Sequence, residues 1–245
     1  MQRTKPALAL LALLLLILPA IAFCDQLEDA KAAYEKKDYA KALGIFRSLA
    51  KKGNAEAQSI LGTMYAKGQG VPLDYSEASK WYRKAAEQKN STAQLNLGRM
   101  YNNGDGVPQD FSEAVKWYNM AAEQGNPNAQ FCLSGMYETG RGVSKNSVEA
   151  AKWCHKAAEQ GHGLAQYNLG VMYGEGIGLP LNIVQSYIWS LRAVESLQGH
   201  DEDQVNAMTN ASLALSKMTP AQIDEAERLE WEWSRLPTNS IKNDP

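Results

Sequence analysis

Residues 53–88 read GNAEAQSILGTMYAKGQGVPLDYSEASKWYRKAAEQ, and this stretch recurs along the chain. Three further copies follow, each beginning 36 residues after the last, at 89–124, 125–160 and 161–196. The period is visible in one alanine of each copy, namely Ala57, Ala93, Ala129 and Ala165. A fixed period of this length is typical of stacked supersecondary units, each of which buries its apolar face against its neighbours.

Each copy contains two segments with helical periodicity. In the second copy, Ala93, Leu97, Met100 and Tyr101 follow the spacing i, i+4, i+7, i+8, which predicts an amphipathic first helix, helix A. The pattern S-E-A-x-K-W-Y-x-x-A-A-E-Q predicts the second helix, helix B. Between them, G-x-G-V-P supplies glycine for a left-handed helix end and proline to prevent its continuation.

Two details of the repeat carry structural expectations. Glycine inside helix A costs ~1 kcal/mol relative to alanine, so its recurrence predicts a close helix contact. We expect Ala78 and Ala114 of helix B to lie against Gly62 and Gly98. At the start of helix B, three serines are predicted N-caps, namely Ser76, Ser112 and Ser147.

The segment before the repeats predicts export. Arg3 and Lys5 precede an apolar run over 7–18, and small residues lead up to a predicted cleavage site after Ala22. This pattern is typical of a secretory signal peptide over residues 1–22. Two alternatives stay open: a retained membrane anchor, for which the run is short, and lipidation of Cys24, which follows the large Phe23. Any membrane contact is expected only through an uncleaved leader.

The regions that flank the repeats are predicted to cap them. Residues 25–52 are interpreted as two capping helices joined at 36–38, and residues 197–236 as C-terminal capping helices. Within the latter, Thr219 and Pro220 form a helix start signal. Residues 237–245 are interpreted as a loose tail.

Charge and composition exclude some functions. The formal net charge of −2 gives no basic footprint for nucleic acid, so no nucleic-acid partner is expected. Three cysteines are too few for a disulfide-dense framework. No HExxH or paired CxxC pattern is present, so neither a metal site nor a cofactor is predicted.

The A-Q-x-x-L-G-x-M-Y, G-x-G-V-P and S-E-A-x-K-W-Y-x-x-A-A-E-Q patterns together resemble the Sel-one-like repeat family, a relative of the tetratricopeptide repeats. The resemblance covers residues 53–196. It implies an all-α fold, an α/α superhelical solenoid of antiparallel helix pairs, and a non-enzymatic scaffold or adaptor that binds a protein or peptide partner. The chain is predicted to act as a monomer.

In such a solenoid the A helices line the concave side, where a peptide could lie. Variable helix A positions away from the apolar stripe are therefore the predicted partner-binding residues. They are Ser59, Leu95, Arg99, Asn102, Phe131, Glu138 and Tyr167. The alternative is that these side chains are solvated or pack against the next repeat.

Two further hypotheses concern cysteine and serine. Cys132 and Cys154 lie on the two helices of one repeat, equidistant from the turn, so either a disulfide or two buried thiols is compatible with the sequence. Cysteine-rich relatives are linked to β-lactam binding and hydrolysis, which makes that activity an alternative function. The S-x-x-K pattern at 48–51 lacks its K-T-G companion, and no residue is assigned to catalysis. A regulator or inhibitor of one envelope enzyme is a third alternative.

Overall fold

The computed structural model describes residues 26–235, and within that range every regular element is a helix. Between residues 26 and 235, twelve helices follow one another, with adjacent helices packed in pairs. The predicted all-α solenoid class is confirmed. None of the helices between residues 26 and 235 has both the length and the apolar character that a membrane span needs.

The chain divides after Pro108 into two compact units. The helices of the first unit are α1 (residues 26–35), α2 (Tyr39–Lys51), α3 (Ala55–Lys67), α4 (Tyr75–Glu87) and α5 (Ser91–Asn103). Each helix from α2 onward packs on the next, and α3 also contacts α5. Small alanines of α1 join Phe46, Leu49 and Leu61 in the core, so α1 closes the end of this unit.

The second unit holds the remaining seven helices. They are α6 (Phe111–Glu123), α7 (Pro127–Thr139), α8 (Ser147–Glu159), α9 (Gly163–Glu175), α10 (Ile183–Ser196), α11 (Asp201–Ser216) and α12 (Pro220–Ser234). Helix α10 packs on α9, α11 and α12, which makes it the centre of the C-terminal end. Helix α12 starts as predicted: Thr219 is its N-cap, in a capping box with Gln222, and Pro220 follows.

The predicted serine caps of the B helices are wrong. The N-caps are Asp74, Asp110 and Asn146. Each helix therefore begins one or two residues earlier than it would if the serine were its N-cap. The Asp74 side chain accepts a hydrogen bond from Glu77 N at 2.9 Å. Aspartate and asparagine satisfy the first N–H groups as well as serine does, and the charge of aspartate also favours a helix start.

Close approach at the helix glycines is confirmed, although the partners differ from those expected. A Cβ at Gly62 would lie 2.8 Å from the Tyr82 ring, whose atoms are nearer than those of Ala78. A Cβ at Gly170 would lie 2.5 Å from Ser190 Oγ. In the third repeat Ser134 takes this position, and its Oγ donates to Ala150 O at 2.8 Å. The position therefore admits glycine or a serine whose hydroxyl is paired.

The second glycine of each G-x-G turn fixes one repeat on the previous one. Gly142 and Gly178 have φ of +69° and lie against the first residues of the preceding helix B. A Cβ at Gly178 would come closer to Ser147 O than a real Cβ approaches any atom. The turn is therefore an inter-repeat contact as well as a helix end.

Candidate functional site

A buried glutamine on each helix A ties successive helices together. The side-chain Nε2 atoms of these glutamines donate to the carbonyl of an alanine eight residues earlier, at 3.0–3.2 Å. The four donors are Gln58, Gln94, Gln130 and Gln166. In the first and third repeats the Oε1 atom is paired as well. Gln88 Nε2 donates to Gln58 Oε1, and Gln160 Nε2 donates to Gln130 Oε1, both at 2.7 Å.

The fourth repeat departs from this arrangement at the end of helix B. The first three copies read A-A-E-Q, whereas the fourth reads A-V-E-S-L-Q, with Ser196 and Leu197 between Glu195 and Gln198. The serine stands 36 residues after Gln160, and Gln198 is displaced to an exposed position. Within residues 26–235, no group donates a hydrogen bond to Gln166 Oε1, although the Gln166 side chain is only 6% exposed.

A cavity of about 340 Å³ lies at this place. The polar and aromatic side chains around it are Glu159, Gln166, Arg192, Glu195, Ser196 and Trp233. A second cavity of about 360 Å³ shares Arg192 and Trp233 and extends to Trp189 and Leu229. We call the two cavities and these lining residues the C-terminal site. Helices α8, α9, α10 and α12 contribute to it, all within the second unit.

Arg192 lies between the two cavities and contacts two tryptophans. In earlier repeats the equivalent Lys84 and Lys156 lie 4.3 Å from the ring centres of Trp81 and Trp153. Arg192 keeps this contact with Trp189 at 4.7 Å, and its guanidinium carbon is also 3.8 Å from the centre of the Trp233 ring. A planar guanidinium stacks on aromatic rings better than an ammonium does, which suits arginine to this position.

The charges of the C-terminal site are strongly affected by burial. Arg192 Nη2 lies 3.6 Å from Glu230 Oε1. Burial raises the pKa of Glu230, and the charge of Arg192 opposes that effect. Burial also lowers the pKa of Arg192, with Glu230 acting in the opposite direction. An arginine nevertheless keeps its proton in proteins, so the site contains one fixed cation among several carboxylates.

The structure corrects two of the predicted partner-binding residues. Ser59 and Leu95 are only 4% and 6% exposed, so the prediction that they line an open groove is wrong. The other two members of their row lie in the second unit. The Phe131 ring stacks on His162 at 4.6 Å, and Tyr167 packs against a cluster that includes Ala207 of α11. Helix-to-helix packing therefore covers part of each of these two side chains.

The other predicted residues are more accessible. Arg99 and Glu138 are exposed, and Asn102, Phe131 and Tyr167 are half-buried. Arg99 and Asn102 belong to the first unit, whereas the other three belong to the second. A partner-binding role for each of these residues stays a prediction.

The cysteine pair is present as thiols. The structure shows no bond between the sulfur atoms of Cys132 and Cys154. Instead, Cys154 Sγ donates to Ala165 O of α9 at 3.2 Å. Cys154 is buried, and burial raises its pKa to about 12. The structure thus favours two thiols, buried at Cys154 and half-buried at Cys132, over the disulfide that the sequence left open.

Candidate metal ligands are dispersed. Over the part of the chain that the structure describes, no three side chains of His, Cys, Asp or Glu are grouped so that they could hold a metal ion. Residues 1–22, which carry the predicted leader, and Cys24 lie outside the described residues.

The C-terminal site was not predicted, although the sequence contains two signals of this site. One is the insertion of Ser196 and Leu197 at the end of a repeat that is otherwise regular. The other is arginine at position 192, where two earlier copies have lysine. The contribution of Trp233 has no such signal, because it lies beyond the last repeat.

Recurring helix pairs with the same glutamine and glycine contacts define this chain as an α-helical repeat protein of the solenoid class. The model of the Sel1 repeat matches residues 31–54, 55–90, 91–126, 127–162 and 163–196, so the chain belongs to the Sel1 repeat family. The first match covers most of the segment interpreted above as a capping pair. Sel1 repeat proteins are generally non-catalytic scaffolds, and their solenoids generally bind protein partners.

Solved structures support the same fold. The chain is similar to c5321, a protective antigen of uropathogenic Escherichia coli with an SLR fold, at 37% identity and a TM-score of 0.67. That match covers 80% of this chain and 42% of c5321, so the chain spans less than half of that protein. A Sel1 repeat protein from Oxalobacter formigenes matches at 28% identity and a TM-score of 0.67, covering 81% of this chain and 88% of that one. A comparison with curated proteins finds no match.

Proposed function

We propose that this chain is an exported, non-catalytic scaffold or adaptor, and that it binds a protein partner at the C-terminal site. The observation that carries the proposal is an accessible tryptophan next to a largely buried arginine, both beside two cavities. Trp233 is 46% exposed, and it forms a wall of both cavities together with Arg192. Tryptophan and arginine contribute most often to the energetic centres of protein interfaces, where they fill or line pockets.

The chemistry of the site also supports binding. Its groups accept hydrogen bonds, hold charge and present aromatic faces, which are the means by which proteins recognise side chains of other proteins. The exposed Arg99 and Glu138 of the A helices give further surfaces that a partner could contact.

Partner capture tests the proposed function. The tagged full-length chain is expected to retain a stoichiometric protein partner from the exported fraction. The Trp233→Ala variant is expected to lose at least about nine-tenths of the bound partner, because a central interface tryptophan contributes about 2 kcal/mol or more to binding. Trp231→Ala is the matched control: it changes the same residue type on the same helix, at a side chain that is 57% exposed and outside both cavities. Circular dichroism checks that both variants remain helical. Equal partner retention by wild type and folded Trp233→Ala would refute the assignment of this surface.

Export is tested at the N-terminus. The mature protein is expected to begin at Phe23, because cleavage after Ala22 follows the small residues that a signal peptidase requires. Intact-mass measurement of protein from the exported fraction checks this. A mass that includes Met1 would support a retained anchor, and a lipid adduct on Cys24 would support lipidation; either result contradicts cleavage after Ala22.

A further inference from the structure

The C-terminal site contains the hydrogen-bond acceptor Gln166 Oε1, and the equivalent acceptors of two other repeats are paired. Gln58 Oε1 and Gln130 Oε1 each accept from a glutamine amide at the end of helix B. At the equivalent place in the fourth repeat, Ser196 is too short to supply that amide. Gln166 Oε1 is buried beside the cavity and accepts no hydrogen bond from residues 26–235.

The position of the Gln166 side chain is fixed independently of any ligand. Its Nε2 atom donates to Ala158 O at 3.2 Å, as in every other repeat. The Oε1 atom is therefore held in place, and a buried acceptor without a donor destabilises the fold. A group that enters the cavity with an N–H donor would offset that destabilisation.

The charges around the cavity select among N–H donors. Glu159 and Glu195 are exposed carboxylates at its edge, and Arg192 is the cation among its lining residues. The Arg192 guanidinium already contacts two tryptophan rings and faces Glu230. An anion would be repelled by the two carboxylates, whereas a cation with N–H groups would donate charge-assisted hydrogen bonds to them and stack on the half-exposed Trp233 ring.

We propose that the cavity beside Gln166 binds a basic side chain, arginine or lysine, of the protein partner. The basic group donates to Gln166 Oε1, its charge is balanced by Glu159 and Glu195, and Trp233 covers it. This inference rests on the proposed function, because the basic side chain belongs to the protein that the scaffold binds. It specifies which chemical group the partner presents at this site.

Titration with two blocked tripeptides tests the inference. The probes are acetyl-Gly-Arg-Gly-amide and the same peptide with citrulline, which has a similar shape and N–H groups but no charge. Binding to the full chain is followed by NMR at the Gln166 side-chain amide and the Trp233 indole N–H. The arginine peptide is expected to bind at least about tenfold more tightly than the citrulline peptide, because charge-assisted hydrogen bonds are about twice as strong as neutral ones.

Ser196→Gln restores the residue that the regular repeats have. The new amide is expected to donate to Gln166 Oε1 and occupy the cavity, which lowers peptide affinity at least about tenfold and raises the Tm by about 2–4 °C. Gln198→Ala is the control: it changes an exposed side chain two residues away that lines neither cavity, and it should bind within about threefold of wild type. A Glu159→Gln, Glu195→Gln double variant changes only exposed side chains and should lose the preference for arginine over citrulline.

Three results would overturn the inference: equal affinity for the two peptides, unchanged affinity in Ser196→Gln, or absence of a saturable shift at Trp233. These outcomes are distinguishable from failure of the proposed function. If the peptides do not bind but partner capture still depends on Trp233, the basic-group assignment fails and the scaffold function stands. If the arginine peptide binds as expected but no partner depends on Trp233, the scaffold assignment fails instead.

Discussion

Gly178→Ala is expected to lower the free energy of unfolding by about 4 kcal/mol. Two effects add. Gly178 has φ of +69°, and a residue other than glycine in that region costs about 1–3 kcal/mol. The new Cβ would also overlap Ser147 O at the start of α8, and moving one backbone away from another costs about 1–3 kcal/mol more. The loss arises at the contact between two successive repeats.

Gly135→Ala is the matched control for this variant. Gly135 lies inside α7, and a Cβ there would have no atom within 4 Å. Alanine should therefore raise the free energy of unfolding by about 0.5–1 kcal/mol, its advantage over glycine within a helix. Urea unfolding followed by circular dichroism measures both variants. A change of less than about 1 kcal/mol in Gly178→Ala would contradict the inter-repeat contact described for this turn.

Cys154 is expected to react with a thiol reagent at pH 8 about 1000-fold more slowly in the folded protein than an ordinary cysteine does. The thiolate is the reactive form, and a thiol with a pKa of about 12 instead of the ordinary 9.0 has about 1000-fold less thiolate at pH 8. The thiol is also buried and donates to Ala165 O, which limits access further. A Cys24→Ser, Cys132→Ser variant isolates this one sulfur for the measurement with Ellman's reagent.

Unfolding in guanidinium supplies the control, since the same sulfur should then react at the ordinary rate. A folded-state rate within about tenfold of the unfolded rate would contradict a buried, undissociated thiol. Thiol counting on unfolded, unreduced wild type addresses the disulfide directly. Both Cys132 and Cys154 should react, and loss of two thiols would show that the bond forms after all.

The repeat period made most of the fold predictable. Once one copy is interpreted as two helices, the 36-residue step locates the equivalent helices, and the glycines at 62 and 170 indicate where helices must approach closely. The cap positions could not be chosen with the same certainty, because Asp74 and Ser76 can both cap a helix. The choice depends on which residue first adopts helical geometry, which the neighbouring turn determines.

The candidate site was harder to predict, for a physical reason. Periodicity groups Ser59, Leu95, Phe131 and Tyr167 into one row, but it does not tell which neighbour covers that row. The structure shows that His162 partly covers Phe131 and that the cluster with Ala207 partly covers Tyr167. The C-terminal site requires an unpaired acceptor at Gln166 and a ring from α12 at Trp233, two elements far apart in sequence. Only their packing on α10 brings them together.

Contact between the arginine peptide and the C-terminal site is the most direct test of the account. In the complex with the full chain, NMR should show nuclear Overhauser effects from the arginine side-chain protons to the Trp233 ring and the Gln166 amide. The same spectra of Ser196→Gln should lack them. Nuclear Overhauser effects to Phe131 and Tyr167 on the A helices, with none to Trp233 or Gln166, would contradict the account. They would show that the peptide binds at the A helices instead.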